Sequence, residues 1–214
     1  ILGVKNSGNE VTILKEENDN LGGIKILNRR LGIFPSVLKV RKLLKDCDIV
    51  HAVDSYPYGL IAVLANIGLN KKLVISAIGT YAVAPLHNWK TSLFLKWAYK
   101  KADKIVAISN FTKQRILEKL PLNNIFVINP GVDFQKFNRK HLESEESFIL
   151  SVGAVKKRKG YHISIPAFAL AKKEIPDLKY KIVGSQEDKN YFDYLKQLVV
   201  KDGVEKDIEF LDNI

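Results

Sequence analysis

Phe148-Ile149-Leu150-Ser151-Val152-Gly153 is an apolar run that closes on a glycine, and Ala154-Val155-Lys156-Lys157-Arg158-Lys159-Gly160 carries it into a basic loop. A short apolar run bounded by a turn signal has the length of a buried strand. Residues 160–173 follow as a helix. Strand, loop and helix together make half of a βαβ unit, and in open α/β sheets ligands bind beyond the carboxyl ends of the strands. A helix N-terminus carries unpaired amides and partial positive charge, so it favours phosphate. Four consecutive cations, Lys156 to Lys159, add to that field. A solvated basic turn is the competing reading of the same residues.

Downstream, the pattern repeats: strand 180–183, helix 191–201, strand 208–211. Upstream there are strands at 11–14, 24–27, 48–53, 72–78, 104–108 and 125–128. Helices at 35–44, 58–67, 91–101 and from Ser109 or Asn110 to 120 lie between them. Pro35 suits a first helical turn, and Ser109 or Asn110 suits a cap. Alternating strands and helices imply parallel sheets with right-handed crossovers. The alternation breaks at Pro130-Gly131-Val132-Asp133 and the polar stretch 139–147. The expected fold is therefore α/β, with two Rossmann-like parallel-sheet domains, residues 1–140 and 141–214.

Composition narrows the function. The 214 residues are 46% hydrophobic and 27% charged, an ordinary globular balance. No apolar run is long enough to span a membrane. One cysteine, Cys47, excludes an internal disulfide and fits a reducing, cytoplasmic setting. A net charge of +11 points to an anionic partner: nucleic acid, a phosphorylated ligand or a membrane surface. No nucleic-acid recognition module is legible, so nucleic acid is the least favoured of the three. Basic residues lie between apolar ones in 35–45 and again in 91–104, a face suited to anionic lipid. The chain starts at Ile1, contains no methionine, and ends just after a strand. This reads as truncation at both ends.

Several familiar chemistries fail on spacing. A P-loop needs glycine before its lysine and a hydroxyl after it, whereas Lys159 lies between Arg158 and Gly160. No closely spaced glycines form a dinucleotide fingerprint. The four histidines show no metal-ligand spacing. The Asp46-Cys47-Asp48 carboxylate pair precedes its strand, where a metal-binding pair should follow one. No metal is expected.

Motifs in five places, taken in order, resemble family-four retaining glycosyltransferases of the GT-B fold. Gly8-Asn9-Glu10-Val11-Thr12 is similar to the family's "GHeVt", and Ile78-Gly79-Thr80 to its "hGt". Ala102-Asp103-Lys104-Ile105-Val106-Ala107-Ile108-Ser109-Asn110-Phe111-Thr112 resembles "aD-x-iia-vS-x-x-T". Ile128-Asn129-Pro130-Gly131-Val132-Asp133 with Phe137 resembles the "GVD…F" domain junction. The run from Phe148 through Lys159-Gly160, Ala167-Phe168 and Ile182-Val183-Gly184 resembles the nucleotide-sugar donor domain. The resemblance covers essentially the whole chain. Three departures stand out: Ala154 replaces the usual diphosphate arginine, Ile78 replaces a histidine, and the paired-glutamate motif would lie beyond Ile214.

The resemblance implies transfer of a sugar from a nucleotide-diphosphate donor to a glycan, lipid or small-molecule acceptor with retained configuration. It requires no cofactor beyond that donor. A nucleotide-sugar epimerase and a degenerate partner subunit are the alternatives. Lys159 is expected to meet leaving-group charge. Gly153, Arg158, Gly160, Gly184 and Ser185 would border the nucleotide with it. On the acceptor side the candidates are Gly79, Thr80, His51 and Asp54. Tyr81, Trp89 and Trp97 are candidates to meet a sugar face, with Trp97 on a helical stripe that reads as core. The implied partners are a nucleotide sugar, a glycan or lipid-linked acceptor, and an anionic membrane surface on its cytoplasmic side.

Overall fold

The computed structural model describes residues 7–16, 22–26, 33–138 and 147–212. The chain divides into two compact units, Ile1–Asp133 and Phe134–Ile214. The stretch 139–146, within the expected linker, and Leu27 of the second expected strand lie outside the described residues.

In the first unit, β1 (Leu14–Lys15) and β2 (Ile24–Lys25) form a two-residue parallel pair. A four-stranded parallel sheet follows, in the order β3 (Ile49–Val53), β4 (Lys72–Ala77), β5 (Lys104–Ala107), β6 (Ile125–Val127). Sequence neighbours are spatial neighbours throughout, with Ala52 opposite Ile75 and Ile75 opposite Ile105. The connecting helices are α1 (Ile33–Leu44), α2 (Leu60–Asn66), α3 (Ala84–His87), α4 (Trp89–Lys101) and α5 (Asn110–Leu117). Central β4 and β5 bury Leu73, Ile75, Ala77, Ile105 and Ala107, as strands covered on both faces do. Leu95, Ala98 and Tyr99 of α4 and Ile116 of α5 complete this core.

Caps explain where helices begin. Asn88 accepts from the Lys90 amide at 2.9 Å, so α4 starts two residues before the sequence pattern suggested. Asp188 does the same for the helix Lys189–Lys201, accepting from the Tyr191 amide at 3.2 Å. The expected helix 58–67 begins only at Leu60. Before it, Ser55–Gly59 forms a wide turn interrupted by extended Tyr56. The Arg41 guanidinium closes the other end of α2, donating to the Ala65 and Ile67 carbonyls.

The second unit opens with the short helix α6 (Phe134–Phe137). Its sheet is parallel, ordered β7 (Phe148–Val152), β8 (Lys179–Val183), β9 (Ile208–Leu211). The crossovers are α7 (Tyr161–Glu174) and α8 (Lys189–Lys201). Tyr161, Ile165 and Phe168 of α7 meet Leu195 and Val199 of α8 over Tyr180 and Ile182 of β8. Each such fully buried side chain contributes roughly 1.5–3 kcal/mol of transfer free energy.

Candidate active site

The carboxyl ends of β7 and β8 are laced together, and glycine makes this possible. The Gly153 amide donates to the Val183 carbonyl at 2.8 Å, and the Val155 amide to the Ser185 carbonyl at 2.9 Å. A Cβ on Gly184 would stand 2.3 Å from the Gly153 carbonyl oxygen and 2.5 Å from its carbon. No side chain fits there, and the φ of 152° at Gly184 also favours glycine. The structure thus brings Gly153, Gly184 and Ser185 side by side.

Beyond Gly153 the chain passes through Ala154 and buried Val155, then turns as a 3₁₀ segment at Lys157–Lys159. The turn closes through the Lys159 amide on the Lys156 carbonyl at 2.8 Å and the Gly160 amide on the Lys157 carbonyl at 3.1 Å. It folds Lys159 back over the strand end. A Cβ placed on Gly153 would lie 3.3 Å from Lys159 Nζ. Lys156 pairs with Glu187 at 3.4 Å, fastening this loop to the one after β8. Among the described residues, Lys157, Arg158 and Lys159 have no carboxylate partner. Three exposed cations and a backbone bare of side chains therefore surround one strand end, an arrangement suited to a polyphosphate anion.

Two residues unmarked in the sequence reading hold this cradle. Tyr161, nearly fully buried, donates its hydroxyl to the Gly153 carbonyl at 2.7 Å. That bond satisfies the Gly153 carbonyl oxygen. Burial pushes the Tyr161 hydroxyl pKa up, so it stays a donor. Tyr191 from α8 caps α7: its hydroxyl oxygen accepts from the His162 amide at 3.2 Å and lies 2.8 Å from His162 Nδ1. This corrects the expectation that the first-turn amides stand open for phosphate. The His162 amide is engaged, and the Ile163 and Ser164 amides bond the Gly160 carbonyl. Lys159 is the cation that the turn brings against Gly153. A tyrosine reaching across from another helix leaves no local sequence signature.

In the first unit Asp54, Gly79 and Thr80 follow β3 and β4, whereas His51, expected at a strand end, is the middle residue of β3. His51 Nε2 lies 2.8 Å from Ser76 Oγ on the neighbouring strand, and desolvation there lowers its pKa. Asp54 follows β3 with φ 139° and ψ 154°, a region that is otherwise essentially glycine's. Its carboxylate accepts from the Ser55 amide at 2.7 Å. Gly79 lies two residues beyond β4 with φ 57° and ψ −146°, and Thr80 opens the next turn. Fully buried Tyr99 joins these loops, its hydroxyl 2.8 Å from both Ser55 Oγ and the Ala82 carbonyl. Burial drives its pKa far up, so the joint does not titrate at physiological pH. Tyr81 and Trp89 are exposed, whereas Trp97 packs on the core. No group of three or more histidine, cysteine or acidic side chains able to hold a metal occurs among the described residues.

One resemblance motif, 102–112, supplies two structural devices. The Asp103 carboxylate accepts from the Leu73 amide at 2.9 Å and pairs with Lys72 at 3.1 Å, tying β5 to β4. Ser109 caps α5 by accepting from the Thr112 amide at 3.1 Å, with the two hydroxyls also 3.1 Å apart.

Comparison with known proteins agrees with this picture. Residues 8–136 match the model for Glycosyltransferase Family 4, and residues 133–214 match Glycosyl transferases group 1. An uncharacterized glycosyltransferase of Haemophilus influenzae is 30% identical over 181 residues, covering 80% of this chain and 48% of the relative. One from Methanocaldococcus jannaschii is 28% identical over 157 residues, covering 73% of this chain and 41% of the relative. The chain thus spans about half the length of the curated relatives it matches. Among solved structures, a glycosyltransferase from Rickettsia africae superposes with a TM-score of 0.71 at 20% identity, over 99% of this chain and 62% of that one. Anabaena HepE in complex with UDP-glucose gives 0.68 at 18%, over 90% and 55%. At such identities the superpositions establish the fold, that of the GT-B glycosyltransferases. With more than half of its length, residues 8–136, matched by one family model and residues 133–214 by its companion, the chain belongs to the family-four, group 1 glycosyltransferases.

Proposed function

We propose that the protein transfers a sugar from a nucleotide-diphosphate sugar to a glycan, lipid or small-molecule acceptor, with retention at the anomeric carbon. The observation that carries this reading is the placement of Lys159 Nζ over the bare backbone at Gly153, beside the glycine contact with Gly184. In this reading the second unit binds the donor. Lys159 neutralises the β-phosphate as the glycosidic bond breaks, so it acts on charge that grows in the transition state. Arg158 and Lys157 supply mobile positive charge in place of the arginine that Ala154 lacks. Gly160 sets the turn that aims Lys159, and Ser185 borders the nucleotide with Gly184. The first unit presents the acceptor through Gly79, Thr80, His51 and Asp54. HepE, a structural neighbour, was crystallised with UDP-glucose and with UDP and glucose, which supports a nucleotide-sugar donor. The protein works at the cytoplasmic face of an anionic membrane as a peripheral enzyme.

Isothermal titration calorimetry with UDP, GDP and ADP tests the donor site. Replacing Lys159 with Ala should weaken the preferred diphosphate about 10- to 100-fold, the loss expected for a charge-assisted hydrogen bond. Undiminished binding would refute the assignment. The anomeric configuration of product formed by the full-length protein, read by NMR, tests retention.

A further inference from the structure

The helices that flank α2 in the first unit present an unusual outer surface. α1 and α4 bury one stripe each, Val40 and Leu44 on α1 and Leu95, Ala98 and Tyr99 on α4. Their outward stripes are also rich in large apolar residues. Trp89 is 83% exposed, Leu93 73%, Phe34 78% and Leu38 66%, with Phe94 beside them. An amphipathic surface helix normally turns polar residues outward. Here the outward polar residues are almost all basic: Lys39 and Lys42 on α1, and Lys90, Lys100 and Lys101 on α4. Lys90 Nζ lies 5.5 Å from the Trp89 ring centre.

Charge distribution separates the possible occupants. No Asp or Glu occurs between Asp19 and Asp46, or between Asp54 and Asp103. A surface built from those stretches repels a second copy of itself, whereas an anionic surface complements it. Nucleic acid would match the lysines but would leave Phe34, Leu38 and Leu93 in water. A bilayer interface accepts both: rings and aliphatic side chains enter the headgroup region, and lysines meet anionic headgroups. Neither helix is long or apolar enough to cross a membrane, so each lies along it.

Topology gives the surface a direction. In a parallel α/β unit, helices run antiparallel to the strands, so their N-termini gather at the strands' carboxyl ends. Phe34 and Leu38 occupy the first half of α1, and Trp89, Leu93 and Phe94 the first half of α4. The apolar part of the surface therefore lies toward the end of the sheet that carries Asp54 and Gly79, and the lysines of the last turns lie away from it.

We propose that the outer face of α1 and α4 is a membrane-docking surface for anionic lipid, with Phe34, Leu38, Trp89, Leu93 and Phe94 entering the interface and the lysines meeting headgroups. The inference rests on the proposed function for its membrane-side acceptor, but its test is separate. The full-length protein is floated with phosphatidylcholine vesicles that contain either no phosphatidylglycerol or roughly 30% of it, enough to give an anionic surface. Binding should require the anionic lipid and fall as salt rises. The Lys100→Gln/Lys101→Gln variant should bind at least roughly tenfold more weakly, since each lysine near the surface is worth about fivefold. Leu93→Ser/Phe94→Ser should lose the salt-resistant part of the binding and the blue shift of Trp89 emission on vesicles. Both pairs are exposed, so each variant should fold, and thermal melting checks this. Equal binding to neutral vesicles, no loss in either variant, equal affinity for an oligonucleotide, or a dimer that the Leu93→Ser/Phe94→Ser change dissolves would each overturn the proposal. UDP titration of the same variants should be unaltered, so a failure here leaves the donor site standing and the Lys159→Ala result is read independently.

Discussion

Replacing Gly184 with Ala should damage the second unit selectively. The new Cβ would meet the Gly153 carbonyl oxygen at 2.3 Å, its carbon at 2.5 Å and the Ala154 nitrogen at 3.0 Å. These are backbone atoms of the adjoining strand end and cannot rotate away, so the strand ends must part by on the order of 1 Å to restore contact distance. The φ of 152° adds strain of about 1–3 kcal/mol for any residue with a Cβ, and forced overpacking adds about 1–3 kcal/mol more. A small domain is stable by only about 5–15 kcal/mol. Together these amount to about 2–6 kcal/mol, so with a urea m-value of about 1–2 kcal/mol/M the midpoint of the second unit should fall by roughly 1–6 M. Gly160→Ala is the internal control. Its φ is 76°, yet a Cβ there meets nothing within 4 Å, so it suffers strain without collision. The probes separate the units, because both tryptophans, Trp89 and Trp97, belong to the first. Far-ultraviolet circular dichroism should show an early transition in Gly184→Ala, while tryptophan emission should keep its midpoint. Equal shifts in Gly184→Ala and Gly160→Ala would refute the collision argument. A tryptophan transition that moved with the other would refute the independence of the two units.

Other consequences follow from single contacts. Tyr161→Phe removes the hydroxyl that holds the Gly153 carbonyl at 2.7 Å; it should cost about 1 kcal/mol in denaturant unfolding and weaken diphosphate binding severalfold in calorimetry. Tyr99→Phe should leave diphosphate binding unchanged but raise amide exchange in the turns at 55–59 and 80–82, which its hydroxyl now joins. The Lys179 and Lys172 ammonium groups hold the Asp207 carboxyl below its usual pKa. That stability is present above the unfolded-state value near 4 and is lost as pH falls through the lower folded value. Asp207→Asn should therefore flatten the acid limb of the second unit's unfolding midpoint, measured from pH 7 down to 3.

Strand and helix order was legible because residues such as Leu73, Ile75 and Ile105 form short apolar runs separated by Gly, Asn and Ser. What the pattern missed was short or non-local. Helix α3 is only four residues long, and periodicity has no purchase on a single turn. The wide turn at Ser55–Gly59 delays α2 because Ser55 and Gly59 are buried against β4: Ser55 Oγ donates to the Ser76 carbonyl at 3.3 Å, and a Cβ on Gly59 would stand only 3.2 Å from Ile75 Cδ1. Lys159 was picked out by its place between a strand and a helix. Its supporting hydroxyls on Tyr161 and Tyr191 were not, because a buried tyrosine that donates and one that merely packs have the same one-letter text.

The family motifs themselves divide by this physics. Asp103 is recurrent text of the kind that a fold demands: its carboxylate fills the amide of Leu73 on the next strand, and no ligand is needed to account for it. Ser109 and Thr112 are explained in the same way by an exposed helix start. Such residues identify the architecture and would persist in a member that had lost its chemistry. Lys159 is different. It costs the fold repulsion among three adjacent cations, Lys157, Arg158 and itself, and it makes no compensating ion pair among the described residues. Gly184 is different again, since it gives up the backbone rigidity of any other residue to let two strand ends touch. A cation cluster without a partner, resting on a backbone stripped of side chains, is destabilising unless an anion fills it. Binding of a nucleoside diphosphate should therefore stabilise the second unit by RT ln(1 + [L]/Kd), about 2.7 kcal/mol at a hundredfold excess over Kd, and that gain should vanish in Lys159→Ala while the motif residues Asp103 and Ser109 remain in place.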